Sequence, residues 1–243
     1  MSRFRVLLVT LLASFFLFGG LAQAAYSEFV ESFLKAYDSK DVLGMGKIVE
    51  ANKDKVPAEV RALVEEALKE GIDPVDKTSH FFVGELIARE YSNQTEDSSI
   101  LIELKQKEFN SFLHKAVQPK AVKGVVTVNI PVAAEKVKNV FTPDNVIINE
   151  GETVRWTNSD SIAHIFASMP LIGKGGIFTP SLEPGGTWEF KFDKPGDYYY
   201  ICFIHKGMIG KVRVLAKEAE ETPPATDTKA GEKKKRDSMK KAE

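Results

Sequence analysis

The chain has 243 residues, with 33 Lys+Arg against 34 Asp+Glu, 4 His and a single Cys. A hydrophobic content of 43% and a charged content of 28% suit one large globular domain or two small ones. They exclude a disordered chain, a collagen and a multi-pass membrane protein, while a net charge of -1 argues against a nucleic-acid binder and one thiol precludes an internal disulfide.

The first 24 residues read as an address. Arg3 and Arg5 form a basic start, Val6 to Phe18 is almost unbroken apolar sequence, and Ala22-Gln23-Ala24 is an A-x-A site. This is the pattern of a secretory signal peptide, expected to be cut after Ala24. The apolar run is short for a span of ~20 residues, so contact with a membrane is expected only through an uncleaved signal. A bare secretory signal without a transit peptide points to a bacterial periplasm.

Residues 25–118 are expected to form a small helical bundle of four or five helices. Phe29, Phe33, Leu34 and Tyr37 recur at helical spacing, as do Val60, Leu63, Val64, Ala67 and Leu68. Pro57 suits a first turn and Gly71 a C-terminal cap. A further helix is predicted to start at Asp73-Pro74 and run through Phe81, Phe82, Leu86 and Ile87, and a last one to cover about Asp97 to Val117.

Residues 119–216 change period. β-branched and aromatic segments lie at 125–128, 146–148, 153–156, 187–192, 197–200 and 211–214. Asn149-Glu150-Gly151, Glu183-Pro184-Gly185-Gly186 and Lys194-Pro195-Gly196 separate them. Short strands with such punctuation predict a β-sandwich or barrel. Residues 217–243 carry Lys233-Lys234-Lys235-Arg236 and no apolar period, and are expected to be a disordered charged tail. The fold class is therefore α+β and multidomain.

The chemistry concentrates in Tyr200 to Gly210. Cys202, His205 and Met208 stand at C-x-x-H-x-x-M spacing where a loop should join two strands, and His164 lies upstream, after Trp156-Thr157-Asn158-Ser159-Asp160. Two His, one Cys and one Met are the donor set of a blue-copper site, a trigonal His₂Cys plane with a weak axial thioether. Thiolate and imidazole suit both Cu(I) and Cu(II), and a geometry between their preferences moves little on electron transfer. The Phe, Ile and Tyr residues around Cys202 would keep water out.

Residues from about 125 to 215 resemble the plastocyanin/amicyanin group of cupredoxins. The resemblance rests on Phe141-Thr142-Pro143, Gly151 through Asp160, His164, Pro184-Gly185-Gly186-Thr187, Lys194 through Tyr198, and Cys202 through Gly210, in that order. The short Cys-to-Met loop is closest to the amicyanin and pseudoazurin type. The resemblance implies a Greek-key β-sandwich holding one type 1 copper at His164, Cys202, His205 and Met208. It implies an electron carrier, not an enzyme, whose redox partner protein docks near the edge of His205. Met169, Pro170, Leu171, Ile172, Gly207 and Ile209 are candidates for the apolar surface there. One departure stands out. The residue after the first His is commonly Asn, Ser or Thr in this family and braces the Cys loop; here it is Ile165.

Two other readings use the same residues. A periplasmic copper store or chaperone could employ the four ligands, and a sensing or assembly protein could use the helical part for partner binding with the copper domain as accessory. His80 and His114 fall on predicted helices without metal-site spacing. No nucleophile motif, P-loop or dinucleotide fingerprint occurs.

Overall fold

The computed structural model describes residues 26–73, 76–133 and 140–217. The signal-like segment and nearly all of the charged tail lie outside the described residues. Five helices precede seven strands: α1 (Glu28–Asp38), α2 (Val42–Ala51), α3 (Val56–Glu70), α4 (His80–Thr95), α5 (Ser99–Ser111), β1 (Val125–Ile130), β2 (Asn145–Asn149), β3 (Thr153–Asn158), β4 (Phe166–Ser168), β5 (Thr187–Lys191), β6 (Gly196–Cys202) and β7 (Ile209–Leu215). The chain divides into two compact units, residues 1–101 and 102–243. The change of period read from the sequence falls at 118/119, whereas the division in packing falls inside α5.

In the first unit, local chemistry sets each helix. Ser27 caps α1 by accepting from the Val30 N–H, with Glu28 and Glu31 in the first turn and Lys35 in the last, as the helix dipole favours. Asp41 caps α2 through the Gly44 N–H. Pro57 opens α3, and Gly71, at φ +93°, ends it. α4 begins at His80, not at Asp73-Pro74. The Asp76 carboxylate accepts from the Thr78 N–H at 2.9 Å and holds a turn, and Ser79 then caps the helix through the Phe82 N–H at 3.1 Å. The buried faces present Phe29, Val30, Phe33, Val49, Val60, Leu63, Val64, Phe81 and Ile87. Gly46 lets α2 approach α4, since a Cβ there would meet the Gln94 side chain at 2.7 Å.

The second unit is a β-sandwich. One sheet has the order β1-β3-β5 and the other β2-β7-β6-β4. β1 runs parallel to β3 and β2 parallel to β7, while β3–β5, β4–β6 and β6–β7 are antiparallel. Alternate residues of both sheets, among them Val126, Val128, Val154 and Trp156 from one and Val146, Ile148, Tyr200 and Val212 from the other, fill a single core. β4, only three residues long, is a strand that the sequence pattern does not announce.

α5 ends at Ser111, short of the predicted Val117. The Val117 N–H instead donates to the Asn145 carbonyl at 3.0 Å, and the Ile147 N–H to the Val117 carbonyl at 2.8 Å, so the chain leaves the helix to run beside β2. The end of α5 lies on the β6–β7 face. Gln106 donates to the Ile172 carbonyl at 2.7 Å, Asn110 to the Tyr199 hydroxyl at 3.3 Å, and Phe109 meets the Tyr199 ring edge-to-face at 5.1 Å. Lys211, buried, completes the contact with bonds to Asn110 Oδ1 and Tyr199 at 3.1 Å each.

Candidate metal centre

Two loops converge at one end of the sandwich. The first follows β3. Fully buried Asn158 shapes it, donating to the carbonyls of Ile162 and Leu182 at 2.8 Å each and accepting from the Asp160 N–H at 2.9 Å. His164 is then fixed against Leu182 by reciprocal backbone bonds of 3.1 and 2.8 Å. Its side chain is wholly buried.

The second loop joins β6 to β7. Cys202 is the last residue of β6, opposite Phe166 of β4, so the thiol belongs to a strand end more than to a loop. The Cys202 N–H donates to the Met208 carbonyl at 2.9 Å, and the Met208 N–H to the His205 carbonyl at 3.2 Å, which closes the loop tightly. Gly207, at φ +79°, supplies the left-handed turn this closure needs. Cys202 and Met208 are buried, and His205 is partly exposed.

Sγ of Cys202 lies 3.5 Å from Nδ1 of His205 and 3.8 Å from Nδ1 of His164. The ligand atoms of the three residues all lie within 4.8 Å of one another. Donors bonded to one ion at the ~2.0–2.3 Å typical of imidazole and thiolate stand roughly 3.5–4 Å apart at the corners of a triangle. The donor set therefore fits a metal of borderline softness. Among the described residues no other group of three His, Cys, Asp or Glu side chains converges in this way. His80 is buried against Glu70 at 2.8 Å, and His114 pairs with Asp144 at 2.8 Å.

The residues 126–215 match the family described as copper binding proteins, plastocyanin/azurin family. The chain is 32% identical over 87 residues to a plastocyanin of Scenedesmus fuscus, across 33% of this chain and 89% of that protein. The chain belongs to this family. It is also 39% identical over 79 residues to amicyanin-alpha of Methylorubrum extorquens, across 32% of this chain and 66% of that protein, a little under two thirds of the relative's length. Among solved structures, a purple cupredoxin from Nitrosopumilus maritimus is 32% identical, with 37% of this chain and 98% of that chain covered and a TM-score of 0.34. The cofactor is copper, and the fold is the cupredoxin β-sandwich.

A residue that the sequence did not single out completes the centre. Asp160 Oδ2 stands 3.2 Å from Nε2 of His164, and its Oδ1 accepts the Ser161 N–H at 2.7 Å and the Ala133 N–H at 3.4 Å. Burial pushes the Asp160 carboxyl up, but the Ser161 and Ala133 N–H groups and His164 outweigh it and hold it below the ordinary range. Burial, with His205 nearby, lowers the His164 pKa against the pull of Asp160. His164 is therefore neutral near pH 7, with Nε2–H donating to the carboxylate and the Nδ1 lone pair directed to the thiol side. The sequence signal was an acid four residues before the His, in a loop with no obvious reason to bury it.

The Ile165 departure is compensated in part. Its carbonyl accepts the Phe203 N–H at 2.8 Å, so the two ligand loops remain tied by backbone. Beneath them, Trp156 Nε1 donates to the Tyr200 hydroxyl at 3.2 Å in the dry core. Met169, Leu171, Ile172, Gly207 and Ile209 line one groove together with side chains of α5; Pro170 is exposed and does not belong to it.

Proposed function

We propose that His164, Cys202 and His205 hold one copper ion in a trigonal plane, with Met208 as its weak axial ligand, and that the protein carries single electrons outside the cytoplasm. The observation that carries this reading is the approach of two imidazole Nδ1 atoms to one thiol sulfur, at 3.5 and 3.8 Å, in a buried site. Copper held there supplies a Cu(II)/Cu(I) couple whose two states share nearly one geometry. The protein's part is to keep that geometry fixed: β6 and β4 place the thiolate, the Leu182 bonds place His164, and the closed loop places His205 and Met208. His205 is the one partly exposed member of the set, so its edge is the natural exit for the electron toward a docked redox protein.

The Arg3/Arg5 start, the apolar run and the Ala22-Gln23-Ala24 leader pattern support a periplasmic location. Among the described residues no helix is long and apolar enough to cross a membrane. The deciding experiment is the absorption and EPR spectrum of the purified protein on adding Cu(II). An intense visible thiolate-to-copper band that disappears in Cys202→Ser supports the site. A band that survives the substitution refutes it.

A further inference from the structure

Within the second unit, α5 and the end of the sandwich enclose an apolar groove of about 760 Å³. Such a volume lies in the ~300–1,000 Å³ range of small-molecule sites. Phe109 of α5 and Phe112, in the turn just after it, form one wall, and Leu171, Ile172 and Ile209 the other. Phe112 and Leu171 are 52% and 71% exposed, so the groove leaves large apolar surfaces without a partner. Its polar lining is Lys105, Glu108 and the His114–Asp144 pair, in which Nδ1 stands 2.8 Å from Oδ2; with the ring proton on Nδ1, Nε2 is left open as an acceptor. Its last wall is Gly207, between His205 and Met208, where the backbone is bare and no atom lies within 4 Å of where a Cβ would stand.

We propose that this groove binds a hydroquinone-class molecule, a flat apolar aromatic ring bearing hydroxyl groups, and presents it to the copper loop as an electron donor. The aromatic and aliphatic walls suit the faces of the ring, and the His114–Asp144 pair suits its hydroxyl. Hydroquinone oxidation releases protons with its electrons, and here an imidazole and the loop residue between His205 and Met208 border one cavity. One hydroquinone gives one electron to each of two oxidised protein molecules in succession. It loses two phenolic protons, the first to Nε2 of His114 and the second, from the semiquinone, to water, and becomes the quinone. The electron step rests on the copper site proposed above; the binding step does not.

The test therefore has two arms, both on the full chain. In the metal-free protein, naphthol should shift the amide NMR signals of Phe109, Ile172 and Gly207 saturably. Leu171→Lys and Phe112→Lys, both at exposed positions, should weaken that binding at least ~tenfold, and Phe112→Leu should restore most of it. In the copper-loaded protein under anaerobic conditions, the rate of bleaching by menadiol should saturate with menadiol. It should become linear in the two lysine variants, with their visible copper band retained. Naphthol shifts that are scattered or do not saturate would overturn the site, as would lysine variants that bind equally well. Intact naphthol binding without any colour on adding Cu(II) would instead refute the copper site and, with it, the electron step.

Discussion

Asp160 Oδ2 lies 3.2 Å from His164 Nε2, and both side chains are sealed from solvent. A carboxylate behind a metal-binding imidazole fixes its tautomer and raises its basicity. In a dry site that charge favours the more positive oxidation state of a bound ion. Asp160→Asn should therefore raise the reduction potential and weaken copper binding about 10–100-fold, as loss of such partners typically does. Redox titration and competition with a chelator read the two effects; an unchanged potential would remove Asp160 from the role.

Met208 is wholly buried, and in the proposed site its thioether is the weak axial ligand. Met208→Leu should retain copper and the visible band while the potential rises. Voltammetry beside the wild type decides it, and an equal potential would deny the thioether its axial place.

Asn110 of α5 gives buried Lys211 one of its acceptors. Asn110→Ala strips that bond and should destabilise the second unit by about 1–3 kcal/mol. Urea unfolding followed by the fluorescence of Trp156 and Trp188 measures the loss. No loss would mean that the end of α5 adds nothing to the sandwich.

Asp197 bonds Arg213 at 2.8 and 3.0 Å and Lys211 at 2.9 Å. Burial raises its pKa, but Arg213 and Lys211 more than reverse this and hold the carboxyl below the ordinary range. The unfolded chain thus takes up this proton first as pH falls. The stabilisation is present above about pH 3.9 and is lost as pH falls through the folded-state value. Asp197→Asn should lower stability at neutral pH and flatten its decline in acid. Parallel slopes for variant and wild type would contradict the assignment.

Gly210 stands against the Tyr200 ring, where a Cβ would collide with the ring carbons. Gly210→Ala should cost about 1–3 kcal/mol through overpacking and disturb the Trp156–Tyr200 bond. Thermal unfolding and near-UV dichroism would report it; wild-type values in both would show that the ring can yield.

The convergent loop was legible because Cys202, His205 and Met208 recur every three residues in one short stretch, and the strands because residues such as Val126/Val128 and Val154/Trp156 alternate with polar ones. β4 was not, since three residues carry no period. The start of α4 was misplaced because Pro74 suits a first turn, while the turn bonds of Asp76 and the Ser79 cap decide the start. The end of α5 was extended because Phe112 and Leu113 continue an apolar pattern that backbone pairing at Val117 ends. Asp160, Gln106 and Asn110 look like ordinary surface polar residues in a string of letters. Their roles depend on burial or on partners far along the chain.

β6 is hydrogen-bonded along both flanks, to β4 and to β7. Side chains on such a ribbon alternate strictly, so its length has a parity. Inserting one residue between Gly196 and Cys202 would turn the sulfur to the outer face and aim a neighbour at the two imidazoles. Insertions of two would keep the thiol inward. The turns around this sheet can lengthen by single residues over evolutionary time, while this strand is confined to even steps.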